Sequence, residues 1–86
     1  MTPRVKPRQR RRSDGSVSGL GSRIREARTR LGISIPQLEI ALPVSEKLVM
    51  RWEHGRITPS AHSIVRLAQV LEVSADWLLG LEDPHA

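Results

Sequence analysis

Lys47 and Arg51, four positions apart, carry donors that match guanine O6 and N7. Beside them, Glu46 offers a carboxylate that can accept from cytosine N4, and Met50 an apolar tip that can touch a thymine methyl. At about 100° per residue these four share one side of a helix, while Leu48, Val49 and Trp52 fall together on the other. Ser45 is suited to cap such a helix and Gly55 to end it in the left-handed conformation, so Ser45 to His54 reads as a short helix with an anchored face and a reading face. An ordinary surface helix that turns its charges to water has the same two faces, so the elements that hold this stretch decide between the two readings.

Those elements must come from a chain of 86 residues, enough for one small domain. No long apolar run suggests a membrane span or a secretory signal, and the chain reads as a soluble cytoplasmic protein. Cysteine is absent, so the small core must rest on helix packing, with self-association as a further support. With no Phe or Tyr, Trp52 and Trp77 are the large aromatic anchors.

Charge is unevenly placed. The formal excess of +5 falls within the first twenty residues, where Arg4, Lys6, Arg8, Arg10, Arg11 and Arg12 face only Asp14, while the remainder carries eight basic and eight acidic residues. Residues 1–19 interleave prolines with arginines and then run into Ser and Gly, with too few apolar residues to repay ordering, so they read as a disordered basic arm. A basic arm on a neutral body points to a polyanion, and to nucleic acid before membrane because the arm has no amphipathic face. It could lie along phosphates or enter a minor groove, or act only as a solubilising tail.

From Ser22 the spacing of Ile24, Ala27 and Leu31 predicts a first helix stopped by Gly32. Ser34 opens a second, with Pro36 in its first turn, Gln37 in capping-box position, and Ile35, Leu38 and Leu42 as its inner stripe until Pro43 ends it. After the third helix, Ser60 caps a fourth whose Ile64, Leu67, Ala68 and Leu71 follow the i, i+3, i+4, i+7 pattern, and Ser74 caps a fifth bearing Trp77, Leu78 and Leu81. No stretch alternates like a strand. The fold predicted is all-α: a disordered arm over 1–19, a compact five-helix bundle over 20–81 and a polar stub over 82–86.

This order of motifs resembles the Cro/repressor-type, or Xre, helix-turn-helix family, which includes the lambdoid phage repressors. The resemblance covers residues 20–81 and is carried by the segment Gly21 to Arg28, by Val44-Ser45 leading to Val49 and Trp52-Glu53-His54-Gly55, by Pro59-Ser60, and by Leu67 to Gly80. It implies double-stranded DNA as partner, with Glu46, Lys47, Met50 and Arg51 as base readers in the major groove. It also implies phosphate contacts at Ser34, Ser45, Arg56, Thr58 and Ser60, with the arm residues adding charge. A symmetric homodimer is implied too, and Trp77, Leu78 and Leu81 are the candidate seam, or else they only close the monomer core.

Three positions depart from the family pattern. Ile35 stands where a phosphate-binding Gln is usual, Glu39 where Ala is preferred because two helices nearly touch, and Pro43 where the turn usually has Gly. Since Pro43 cannot adopt positive φ, the turn must have another geometry, and Glu39 is expected to tilt outward toward an arginine of the first helix. A shifted register that puts Gln37 and Ala41 at the first two positions would misplace Leu38 and Leu42.

The leading reading is therefore a sequence-specific DNA-binding transcriptional regulator, and the alternative is a protein-interaction module that keeps the fold without operator binding. Nothing points to an enzyme: His54, His62 and His85 lack metal-ligand spacing, and no phosphate loop, nucleophile motif or carboxylate pair is visible. No cofactor, metal, membrane or small-molecule ligand is implied.

Overall fold

The structure, a computed structural model, describes residues 19–81. The arm residues Arg4, Lys6, Arg8, Arg10, Arg11 and Arg12, and the stub over 82–86, lie outside the described residues. Five helices follow one another: α1 Leu20–Leu31, α2 Ile35–Ala41, α3 Leu48–Glu53, α4 Ala61–Leu71 and α5 Ala75–Leu79. Among the described residues there is no strand.

Side-chain caps start three of the helices as the serines predict. Ser34 Oγ accepts from the Gln37 amide at 3.2 Å while Gln37 Oε1 accepts from the Ser34 amide at 2.7 Å, which completes a capping box for α2. Ser60 Oγ accepts from the Ser63 amide, and Ser74 Oγ from the Trp77 amide. The buried core is drawn from all five helices and includes Ile24, Leu38, Val49, Trp52, Leu67, Leu71 and Leu78. Pairing within the bundle is dominated by α1, which packs on α3, α4 and α5, while α2 packs on α3 and α4 on α5.

Several expectations are corrected. Helix α1 begins at Leu20, not Ser22, and it is Leu20 that is buried at 3% exposure, while Leu31 is 39% exposed. The cause is the helix end. Gly32 takes φ 71°, its amide donates to Thr29 O and the Ile33 amide to Arg28 O, and after this turn it is Ile33, partly buried, that packs against the core. At α5, Gly80 ends the helix in the same way, leaving Leu81 outside it and 70% exposed. Leu78, by contrast, is wholly buried within the monomer, so it closes this core and cannot lie on an open seam. Trp77 is half-buried, with the Arg30 guanidinium 5.5 Å from its ring centroid.

The largest correction concerns α3. It starts at Leu48, three residues later than the serine predicted, and Ser45 does not cap it. Pro43 has no amide proton and cannot turn through positive φ, so α2 stops at Leu42 with φ −85°, the Val44 amide closes back on Glu39 O at 2.9 Å, and the left-handed residue is Lys47 at φ 74°. A side chain in that region costs about 1–2 kcal/mol. Ser45 contributes only its carbonyl, which accepts from the Leu48 amide at 3.2 Å.

Trp52 fills the space between α3 and the rest of the bundle at 3% exposure. Trp52→Ala is expected to cost about 3–5 kcal/mol and to abolish cooperative unfolding at ambient temperature, as read by urea titration of the circular dichroism signal. A variant that still unfolds cooperatively with an unchanged midpoint would mean that the anchored face of α3 is misassigned.

Candidate nucleic-acid interface

Of the reading residues, Met50 and Arg51 stand on a helix of only six residues, too short to be stable alone, while Glu46 and Lys47 fall in the turn that leads into it, so the position of all four is set by what grips α3. At its C-terminal end the grip comes from α1. An atom in the Cβ position of Gly21 would lie 2.6 Å from Trp52 O and closer still to Glu53 O, so only glycine lets α1 approach the α3 backbone this far. Beside that contact Arg28 and Glu53 form a two-pronged ion pair, Nε to Oε2 at 2.7 Å and Nη2 to Oε1 at 3.1 Å. The Glu53 side chain is 5% exposed. Arg28 also donates from Nη1 to Ile33 O at 3.0 Å, so one guanidinium joins α1, the lead into α2 and the end of α3. Glu53 raises the Arg28 pKa above its ordinary value, first by hydrogen bonding and then by charge, against the opposing effect of burial.

At the other end of α3 the grip comes from α2. Glu39 is 6% exposed and does not tilt outward: its Oε2 accepts from the Val49 amide at 3.1 Å. Position 39 lies on the same helical arc as 35, 38 and 42, a spacing that could have signalled its burial, and it is the free amide at the start of α3 that makes that burial tolerable. A comparable signal marked Arg28 and Glu53. Each lies four residues after a core residue, Ile24 and Val49, and a charge on a buried arc requires a partner. Arg23, also unassigned from sequence, donates to Leu78 O at 3.2 Å and packs against Gly19 and Gly80, tying the start of α1 to the end of α5.

With both ends held, α3 presents Arg51 as an exposed side chain and Met50 as a half-buried one, and Glu46 and Lys47, expected on the same helix, are exposed in the turn before it because α3 starts only at Leu48. No ion pair or side-chain hydrogen bond engages Glu46, Lys47 or Arg51 among the described residues. Of the residues expected at phosphates, Arg56 and Thr58 are exposed in the loop between α3 and α4. Ser34 and Ser60 are exposed but their hydroxyl oxygens serve as helix caps, so the N-termini of α2 and α4 are already partly satisfied from within. Ser45 is exposed in the turn before α3. His54 turns back on its own helix, with Nδ1 3.0 Å from Met50 O. Among the described residues no group of His, Cys, Asp or Glu could hold a metal ion, and no helix is long and apolar enough to cross a membrane.

Two short helices joined by a tight turn, the second gripped at both ends and baring an unpaired polar arc, define a helix-turn-helix domain. Residues 19–78 match the family model described as a helix-turn-helix domain, and the chain belongs to that family, in its Cro/repressor or Xre form. Among curated proteins it is similar to the HTH-type transcriptional regulator DicA of Escherichia coli strain K12, with 37% identity over 65 residues. The match takes in 74% of this chain and 48% of DicA, so the chain spans about half the length of that relative. No solved structure matches the chain.

The clamp between α1 and α3 is open to a double-mutant test. Arg28→Ala leaves a buried carboxylate unpaired and is expected to cost about 3 kcal/mol or more, whereas Arg28→Met combined with Glu53→Leu should recover most of that loss. Urea unfolding of the two variants and the parent measures both, and equal losses in the single and double variants would show that the pair stabilises the fold beyond what apolar packing supplies.

Proposed function

We propose that the protein is a DNA-binding transcriptional regulator that reads base edges in the major groove with the arc of α3, acting in the cytoplasm as a homodimer on double-stranded DNA. The observation that carries the reading is the exposed set Glu46, Lys47 and Arg51, unpaired among the described residues, on the first turn of α3 and the turn before it, while the other face of the helix, Val49 and Trp52, is locked in the core. A helix held so firmly with its polar arc unsatisfied is arranged for a partner bearing both donors and acceptors, and base edges offer both. The description of DicA as a transcriptional regulator supports the same reading. Arg56 and Thr58 would hold the flanking phosphates, together with the helix starts at Ser34 and Ser60 and the turn at Ser45. Leu81 and the flank of Trp77 remain as the dimer seam once Leu78 is assigned to the core.

Lys47→Ala and Arg51→Ala should each weaken operator binding by about 1–3 kcal/mol and relax preference at one base position. Sites selected from a random duplex library, followed by binding isotherms on operator and random DNA, measure this. Equal losses on both duplexes would make the two side chains phosphate contacts. The selected operator should be a near-palindrome with half-sites about 34–36 Å apart, and a single half-site bound by a monomer would remove the dimer.

The arm yields a separate outcome. Deleting residues 1–19 should reduce the magnitude of the salt slope by roughly two to four units on all sequences, below the five or so that six full phosphate contacts would give, because a proline-stiffened arm does not seat every charge at once. Isotherms of the full chain and the truncated one across several salt concentrations measure the slope. Loss of all salt-sensitive binding with the arm would favour the protein-interaction module, and a changed operator preference would mean that the arm reads the minor groove.

A further inference from the structure

We infer that Glu39, a residue with no expected contact to DNA, is the positioning residue that sets the orientation of the reading helix and thereby the sequence preference of the protein. The inference rests on the reading of α3 proposed above and assigns to α2 a role in specificity.

Helix α3 lacks a cap of its own. Its N-cap position is Lys47, left-handed at φ 74° and without a side-chain cap hydrogen bond, and the serine two residues earlier supplies only a backbone turn. Glu39 supplies what is missing from the neighbouring helix. Its backbone carbonyl accepts from the Val44 amide at 2.9 Å, which closes the turn after α2, and its side-chain Oε2 accepts from the Val49 amide at 3.1 Å, which anchors the first turn of α3. One residue therefore brackets the segment between Val44 and Val49, and Glu46 and Lys47 lie inside that bracket. Pro43 lies just before it and can contribute neither an N–H donor nor a positive φ, so the left-handed position of the turn falls to Lys47.

The chemistry explains why a carboxylate is used. Glu39 is 6% exposed and forms no ion pair among the described residues, so the positive end of the α3 peptide dipoles is what meets its charge. A neutral apolar residue at this position would leave the Val49 amide buried without an acceptor. Freed of that bond, the first turn of so short a helix would open, and the side chains of Glu46 and Lys47 would lose their fixed aim.

The experiment compares the full chain with Glu39→Ala, Glu39→Gln and, as a control for lost stability alone, Ile64→Val in α4. Two readouts are taken: hydrogen exchange of the Val49 amide without DNA, and the ratio of operator to random-duplex affinity on sites selected with the parent protein. Glu39→Ala should speed Val49 exchange about tenfold and lower the affinity ratio by a similar factor, the scale of one lost buried hydrogen bond, with random-duplex affinity unchanged. Glu39→Gln keeps an acceptor oxygen and should restore both, and Ile64→Val should leave the ratio at the parent value. Unchanged Val49 exchange in Glu39→Ala would overturn the anchoring, and faster exchange with an unchanged ratio would overturn the link to specificity. If Glu39→Ala does not fold, a folded Glu39→Gln that loses the ratio equally overturns the proposal. A parent protein with no operator preference would instead sink the functional reading itself, and leave Glu39 as an anchor of the turn on the exchange data alone.

Discussion

The contact between Arg28 and Glu53, with Gly21 beside it, is the constraint on which the arrangement of the bundle depends. It crosses from α1 to the last residue of α3, and the same guanidinium reaches the carbonyl of Ile33 ahead of α2. Taking two charges out of water costs several kcal/mol, and the pair offsets this only because both carboxylate oxygens and three guanidinium nitrogens find partners. Such a pair adds little to stability over a well-packed apolar substitute. What it adds is a single allowed geometry, since two parallel hydrogen bonds do not tolerate rotation of one helix against the other. The glycine contact acts in the same direction, because the backbones meet at a distance that admits no side chain.

Helix α3 is the element that most needs such fixing. With six residues it has few internal hydrogen bonds, and its conformation is inherited from its neighbours. Arg28 and Gly21 hold its C-terminal end from α1, Glu39 holds its N-terminal end from α2, and Val49 and Trp52 bury its inner face. Three independent grips on so small a piece leave its outer arc with no conformational freedom except that of the side chains themselves. Rigid presentation lowers the ordering cost of any contact the arc makes.

Much of this architecture was legible in the residues. Ser34 with Gln37, Ser60 and Ser74 mark helix starts by side-chain chemistry that acts over three residues, and the spacing of Ile64, Leu67 and Leu71 marks a buried face by geometry alone. The start of α3 was not legible, because Ser45 is an equally good cap wherever the chain arrives in extended conformation, and what moved the start to Leu48 was a turn shaped by Pro43 and Lys47. Glu39 was misplaced for a related reason. It was expected to tilt outward toward an arginine of the first helix, whereas the group that makes its burial tolerable, the Val49 amide, belongs to α3. Of the site, helical phase applies to Met50 and Arg51 but not to Glu46 and Lys47, which the turn before α3 carries instead, and the groups that hold α3 are fixed by tertiary contacts.

Charge pairing within the fold also changes what net charge means for this body. By count the residues after the arm are neutral, yet Glu53 is spent on Arg28 and Glu39 on a backbone amide, so neither carboxylate faces outward. Along the stretch from Val44 to Arg66 the charges left without a partner among the described residues are Lys47, Arg51, Arg56 and Arg66 against Glu46. Helix α1, by contrast, pairs Arg30 with Glu26 on its own exposed surface at 3.0 Å, where screening makes the pair worth little but still balances its charge. The stretch around α3 is basic by composition, and pairing of Glu53 with Arg28 of α1 leaves its exposed charges more so. Under the proposed reading, the grip on phosphates does not originate in the arm: the arm extends a field that the domain already carries, and the position of that field along the chain is fixed by the same carboxylates that hold α3 in place.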